Sequence, residues 1–221
     1  MILVARTLQR LDVDPIVFVG GAIVTLLLAD PGALAPRATR DVDVVVDVAT
    51  YAAFARFETQ LRTAGHNPDR DGPTGRWLID GVPVDVTPVD ASVLGFTNRW
   101  YRPLVDTAQR IEVAEGLWIR VASPPMFLAA KLEAHADRGR GDPYMSRDLT
   151  DVITLVDGRP NLGDDIGRLP ESIREFIQAS LEDLVKRSDL LTLVQAHLPP
   201  DDASQARADE ILRRLRRYSG A

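Results

Sequence analysis

The chain has 221 residues, 45% hydrophobic and 26% charged, a balance that supports one large domain or two small ones and argues against wholesale disorder. Cysteine is absent and the three histidines, His66, His135 and His197, are scattered, so disulfide frameworks, iron–sulfur clusters and thiol nucleophiles are excluded and no zinc-ligand spacing occurs. A net charge of -6 argues against indiscriminate nucleic-acid binding, which depends on neutralising phosphates, but leaves room for a local basic groove.

Ile2 to Leu11 has loose helical periodicity, carries Arg6 and Arg10, and offers no apolar core for a signal peptide. The most apolar stretch, Pro15 to Ala29, is too short for a membrane span and is broken by Gly20-Gly21, so a soluble, cytoplasmic protein is expected. Within it, Ile16 to Val19 reads as a strand, and the glycine pair turns the chain into a helix over Ala22 to Leu28 that stops near Asp30-Pro31-Gly32. Asp41-Val-Asp-Val-Val-Val-Asp47 has the β-branched content of a strand, and Thr50 is placed to cap a helix running to Ala64, closed by Gly65. Arg76 to Asp80 and Val82 to Val86 form a hairpin about Asp80-Gly81, with Pro83 expected at an edge or bulge. A strand follows at Leu117 to Val121. Ser123-Pro124 then opens a helix through about Asp137, after which the chain is mainly helical.

The chemistry concentrates in Phe18-Val-Gly-Gly21 and Thr39-Arg-Asp-Val-Asp43. Alternate strand residues share a face and stand roughly 7 Å apart, so Asp41 and Asp43 can serve one pair of divalent cations, which need several carboxylates on rigid backbone. Glycines at a helix head let a triphosphate approach the backbone N–H groups. Each half alone fits a bland reading, an amphipathic strand's wet face or a simple turn; their order in a strand–helix–strand unit is far more specific. Asp85, flanked by Val84 and Val86, fits a third carboxylate lining the same site, or an edge residue facing water. Lys131 is one of only two lysines, set in an apolar helix, where it suits a mobile point charge on phosphate or a snorkelling flank residue.

These residues resemble the DNA polymerase β-like nucleotidyltransferase superfamily, with its Gly-Gly helix start, Asp-x-Asp and later third aspartate. Pro125 to His135 and Ser146 to Val152 are further similar to AbiEii-type toxins, including the MenT group, over roughly residues 16 to 156. The nineteen residues between Gly21 and Asp41 exceed the usual superfamily gap. The resemblance implies an α+β fold: a nucleotidyltransferase domain over residues 1–122, with a mixed, twisted sheet flanked by helices, then a mainly helical domain over 123–221. It implies that Asp41, Asp43 and Asp85 hold two Mg2+ ions, with Mn2+ as an alternative. Gly20, Gly21, Arg40 and Lys131 would bind the nucleoside triphosphate, and Asp148 would organise the site by orienting Lys131. The reaction implied is transfer of a nucleoside monophosphate to RNA, the tRNA 3′ end being favoured, with a cognate antitoxin as partner and no membrane.

Several residues stay open between function and plain structure. Arg147 and Asp151 suit a surface ion pair, and Arg138, Arg140 and Arg147 suit either a phosphate grip or a solvated loop. The basic helix Ile211 to Arg217 fits packing better than partner binding, and Trp77, Trp100 and Trp118 fit core or rim better than base stacking. Two rival functions share the features: nucleotide transfer to an aminoglycoside or lincosamide, and a non-catalytic, antitoxin-like binding protein.

Overall fold

The computed structural model describes residues 1–138 and 142–220. The chain divides into two compact units, the first comprising Met1–Ile23 and Ala38–Met126, the second Val24–Arg37 and the chain from Phe127 onward. In chain order α1 (Ile2–Leu8) and β1 (Ile16–Val19) precede α2 (Val24–Leu27), which belongs to the second unit. β2 (Val42–Val46), α3 (Tyr51–Thr63), β3 (Asn67–Pro68), β4 (Arg76–Ile79), β5 (Val82–Pro88), α4 (Ala91–Leu94), α5 (Tyr101–Asp106), β6 (Gln109–Ala114) and β7 (Leu117–Val121) complete the first unit.

The seven strands form one mixed sheet in the order β3-β4-β5-β2-β1-β7-β6. β2 runs parallel to β5 and β1 parallel to β7, while the remaining neighbours are antiparallel. β5 alternates cleanly, with Val84 and Val86 buried and Asp85 and Thr87 half-buried. One of its faces therefore closes on core while the other carries the carboxylate. The β4–β5 turn forms where expected, Asp80 and Gly81 both taking positive φ (51° and 77°), as a two-residue hairpin loop demands. Pro83 sits before the stretch of β5 that pairs with β2, Val84–Pro88, so its missing N–H falls where the strand is flanked by β4 alone. α3 starts at the Thr50 cap, whose hydroxyl accepts from Ala53 N, and buries Phe54, Phe57 and Leu61 along one stripe. Full burial of a side chain such as Phe57 contributes about 2–3 kcal/mol.

β3, α4, α5 and β6 are additions to the sequence reading, and one expected element takes another form. In place of a helix over Ala22 to Leu28 there is a 3-10 turn, Gly21–Ile23, and then the single turn of α2. The β-branched run Ile23-Val24-Thr25 resists a longer helix.

The second unit is helical: α6 (Pro124–Arg138), α7 (Arg147–Gly158), α8 (Leu162–Gly167), α9 (Glu171–Val185), α10 (Leu190–Ala196), α11 (Asp202–Gln205) and α12 (Ala208–Ser219). α7 lies at its centre, with Leu149, Val152, Ile153, Leu155 and Val156 buried. Its C-terminus holds the Val24–Arg37 segment. Gly158 O accepts from Ala29 N and Asp30 N at 2.8 and 3.0 Å, and Asp157 Oδ2 accepts from Leu34 N at 2.8 Å. A Cβ on Gly158 would stand 2.6 Å from Leu28 Cδ2, so a side chain there would pry the segment away. The basic C-terminal helix is a packing element: Ile211, Leu212, Leu215 and Tyr218 are buried, and Arg214 donates to Val156 O at 3.0 Å and, more closely, to Asp157 O. Those carbonyls end α7 and lack intrahelical donors, which is why a cation is stabilising there. Among the described residues no helix is long and apolar enough to cross a membrane.

Candidate active site

The carboxylate cluster is built by strand register in the first unit. Asp43 on β2 stands opposite Val19 of β1 on one side and Asp85 of β5 on the other. Partners in register put their side chains on one face of a sheet, and Asp41, two residues earlier, points the same way. All three are half-buried. The Thr39 hydroxyl donates to Asp41 Oδ1 in a short contact, and Arg40, immediately before Asp41, is exposed.

Gly20 ends β1 at a φ of +70°, and a Cβ there would fall 2.5 Å from Asp43 Cγ and nearer still to Oδ2. Glycine is thus required twice, for its backbone conformation and for the room that the Asp43 carboxylate occupies. Gly21 is buried and opens the 3-10 turn.

Arg76, on β4, pairs in register with Asp85 and so rises from the same face. Its Nε and Nη2 donate to the two oxygens of Asp85 at 2.6 and 2.7 Å, and Nη2 stands 3.5 Å from Asp41 Oδ2. Hydrogen bonding to Asp85 pushes the Arg76 pKa above its ordinary value, against a smaller opposing effect of burial. Among the described residues no group of three or more His, Asp or Glu is gathered tightly enough to hold a metal ion. The Arg76 guanidinium lies between Asp85 and Asp41. Oxygen donors of two of the three aspartates thus face one positive charge. The donor set of Asp41, Asp43 and Asp85 fits Mg2+ or Mn2+ in chemistry and strand placement.

A second charged cluster lies within the second unit. Lys131 on α6 is 9% exposed, and its Nζ is 3.0 Å from Asp148 Oδ1 and 2.7 Å from Asp151 Oδ2. Burial works to lower the Lys131 pKa, but Asp151 and then Asp148 together outweigh it and hold the ammonium above the ordinary lysine range. The lysine does not snorkel. Asp148, at the start of α7 behind the Ser146 cap, also takes Arg138 Nη2 at 3.0 Å.

Asp151, suited by spacing to a surface pair with Arg147, is instead only 1% exposed. Besides Lys131 it takes the fork of Arg37, with Nε at 2.9 Å and Nη2 at 3.1 Å. Arg37 and Arg76 are the charged residues that sequence reasoning missed, while Asp151 was left open between function and a surface ion pair. The one available signal for Arg76 was its position across a readable hairpin from Asp85.

Of the remaining candidates, Arg147 is exposed and Arg140 lies outside the described residues. Trp77 is buried in the core with Arg62 over its ring at 5.1 Å, while Trp118 is 43% exposed beneath Arg110.

A search of curated proteins found none that matches the chain. The sequence profile of a known family, described as "Nucleotidyl transferase AbiEii toxin, Type IV TA system", matches residues 2–218. A mixed seven-stranded sheet with a carboxylate-bearing central pair, followed by a helical unit, suits that description, and with nearly its whole length matched the chain belongs to the AbiEii nucleotidyl transferase toxin family of Type IV toxin–antitoxin systems.

Proposed function

We propose that this chain transfers a nucleoside monophosphate from a nucleoside triphosphate to the 3′ end of tRNA in the cytoplasm, blocking aminoacylation and so translation, until a cognate antitoxin restrains it. The single observation that carries this reading is the in-register pair Asp43 and Asp85, with Asp41 on the same face and Gly20 shaped around Asp43. Membership of the AbiEii family supports the toxin and the nucleotide chemistry.

The acceptor hydroxyl attacks the α-phosphorus, forming a new phosphodiester as the bond to pyrophosphate breaks. Asp41, Asp43 and Asp85 would hold two Mg2+ ions, or Mn2+ in their place, and such ions would supply a lowered pKa for the hydroxyl and charge stabilisation for the pyrophosphate. Gly20, Gly21 and Arg40 line the approach of the nucleotide. Lys131 supplies a fixed positive charge for its phosphates, and Asp148 and Asp151 keep that lysine protonated and aimed. Preorganised charge and positioning of this kind supply most of the rate in phosphoryl transfer.

Purified protein is incubated with total tRNA, Mg2+ and each of the four nucleoside triphosphates in turn, and the tRNA is analysed by mass spectrometry. The expected result is a gain of one or more nucleotides at the 3′ end with at least one triphosphate, lost in Asp43→Asn. Unmodified tRNA in all four reactions, alongside mass gain on an aminoglycoside or lincosamide, would overturn the acceptor assignment. Growth inhibition on overexpression that survives Asp43→Asn and Lys131→Ala would instead favour a binding role over catalysis.

A further inference from the structure

Arg76 is more than a neighbour of the carboxylates. Its fork occupies both oxygens of Asp85 and its Nη2 extends to Asp41, so one guanidinium engages two of the three acidic side chains. The pairing is preset by the fold, because β4 and β5 place Arg76 and Asp85 directly opposite each other across a tight hairpin. At 23% exposure for Arg76, against 26% and 34% for Asp85 and Asp41, the cluster is partly withdrawn from water. A two-pronged arginine–carboxylate pair in such a place belongs to the strong end of ion pairs. A dication cannot take Asp85 while the fork is closed, since it would lose both in-plane oxygens and sit against a fixed positive charge.

We infer that Arg76 is a resident counter-cation that closes the carboxylate centre of the nucleotide-free protein, and that its fork must open before a divalent cation can bind. The inference rests on the reading of Asp41, Asp43 and Asp85 as metal ligands. It makes Arg76 a positioning residue: it keeps the acidic side chains compensated and in place while no cation is present. It also couples the two substrates of the centre. A nucleoside triphosphate offers the released guanidinium a new anionic partner, so nucleotide and dication each raise the other's affinity.

The test is Mn2+ binding to the full-length, nucleotide-free protein, followed by electron paramagnetic resonance of the free ion. Arg76→Gln is expected to bind Mn2+ about tenfold more tightly than wild type, the lower end of what one hydrogen bond to a charged group is worth. Arg76→Lys, which keeps the charge but not the fork, falls between the two. Arg102→Gln serves as control, because it removes an equal charge from a similar fork on Asp47 elsewhere in the same unit, and it leaves Mn2+ affinity unchanged. A non-hydrolysable triphosphate raises Mn2+ affinity more in wild type than in Arg76→Gln.

If Arg76→Gln binds Mn2+ no more tightly than wild type while Asp43→Asn abolishes binding, the role of Arg76 is refuted and the metal-centre reading stands. If binding by Arg76→Gln is indifferent to both Asp43→Asn and Asp85→Asn, the carboxylates are not the ligands and both readings fall. Should Arg76→Gln lose its native circular dichroism, Arg76→Lys decides, and an affinity equal to wild type refutes the inference.

Discussion

Replacing Asp151 by asparagine should damage the second unit more than any other single charge removal in its polar cluster. Asp151 is 1% exposed and accepts from three nitrogens of two cations, with Lys131 at 2.7 Å and Arg37 at 2.9 and 3.1 Å. Breaking a buried ion pair from one side costs about 3–5 kcal/mol, because the partner charge stays behind. Here Lys131 retains Asp148 at 3.0 Å, and Arg37, 23% exposed, can turn to water, so the loss should lie near the lower bound, about 3 kcal/mol. Asp148→Asn should cost less, about 1–2 kcal/mol, since Lys131 keeps its nearer partner and the other cation released, Arg138, is 72% exposed.

The loss also has a pH signature. The folded-state pKa of Lys131 is raised above its ordinary 10.5, so its contribution is complete below that pH and is lost as the pH climbs through the higher folded value. With Asp151 neutralised, burial weighs more heavily and the Lys131 pKa falls. The stability gap between wild type and Asp151→Asn is therefore widest at pH 7.5 and shrinks through pH 9.5 towards pH 11, because the lysine of the variant loses its proton first. Urea unfolding monitored by circular dichroism at these three values measures it. A gap below 1 kcal/mol at pH 7.5, or Asp148→Asn proving the more harmful, would show that the geometry does not govern the energetics of this cluster.

Gly20→Ala should lose about 1–2 kcal/mol of stability from a left-handed backbone conformation. Because its Cβ also displaces Asp43, nucleotide transfer should fall by about a hundredfold. Gly81→Ala, at a φ of +77° in open space, carries the backbone strain without the displacement, so comparing the activities of the two variants isolates the effect on Asp43. Arg214→Met removes the charged donor from Val156 O and Asp157 O and should lower the urea midpoint by the equivalent of about 2 kcal/mol. Arg216→Met, on the exposed side of α12, should change it by less than about 0.5 kcal/mol, and equal effects would refute the capping role.

Much of the sheet could be read in advance because its signals are local. β1 and β2 are β-branched runs bounded by glycine or acidic residues, and Asp80-Gly81 specifies its own turn. Asp85 stood out as a carboxylate between two valines, and parallel pairing with β2 places it beside Asp43. β6 was missed because its polar residues Gln109, Arg110 and Glu112 give an edge strand no clean alternation. The helix over Ala22 to Leu28 was overcalled because an apolar run does not distinguish one turn of helix from two. Asp151 and Arg37 could not be linked from the sequence: they are 114 positions apart, and only the docking of the Val24–Arg37 segment on α7 brings them together. Lys131 was legible as unusual, but its second carboxylate partner depended on a depth of burial that spacing on a helix cannot supply.

The assignment of Val24–Arg37 to the second unit has a topological consequence. The polypeptide passes from one unit to the other three times, after Ile23, after Arg37 and after Met126. Deletion from the C-terminus can leave the first unit whole, but no deletion from the N-terminus liberates an intact second unit: cutting at Met126 strands α7 without the strip that seats against its last turn, and keeping the strip keeps β2 as well. The second unit could be isolated only by rewiring, for instance with the peptide of residues 24–37 supplied in trans or joined by a short linker to residue 127.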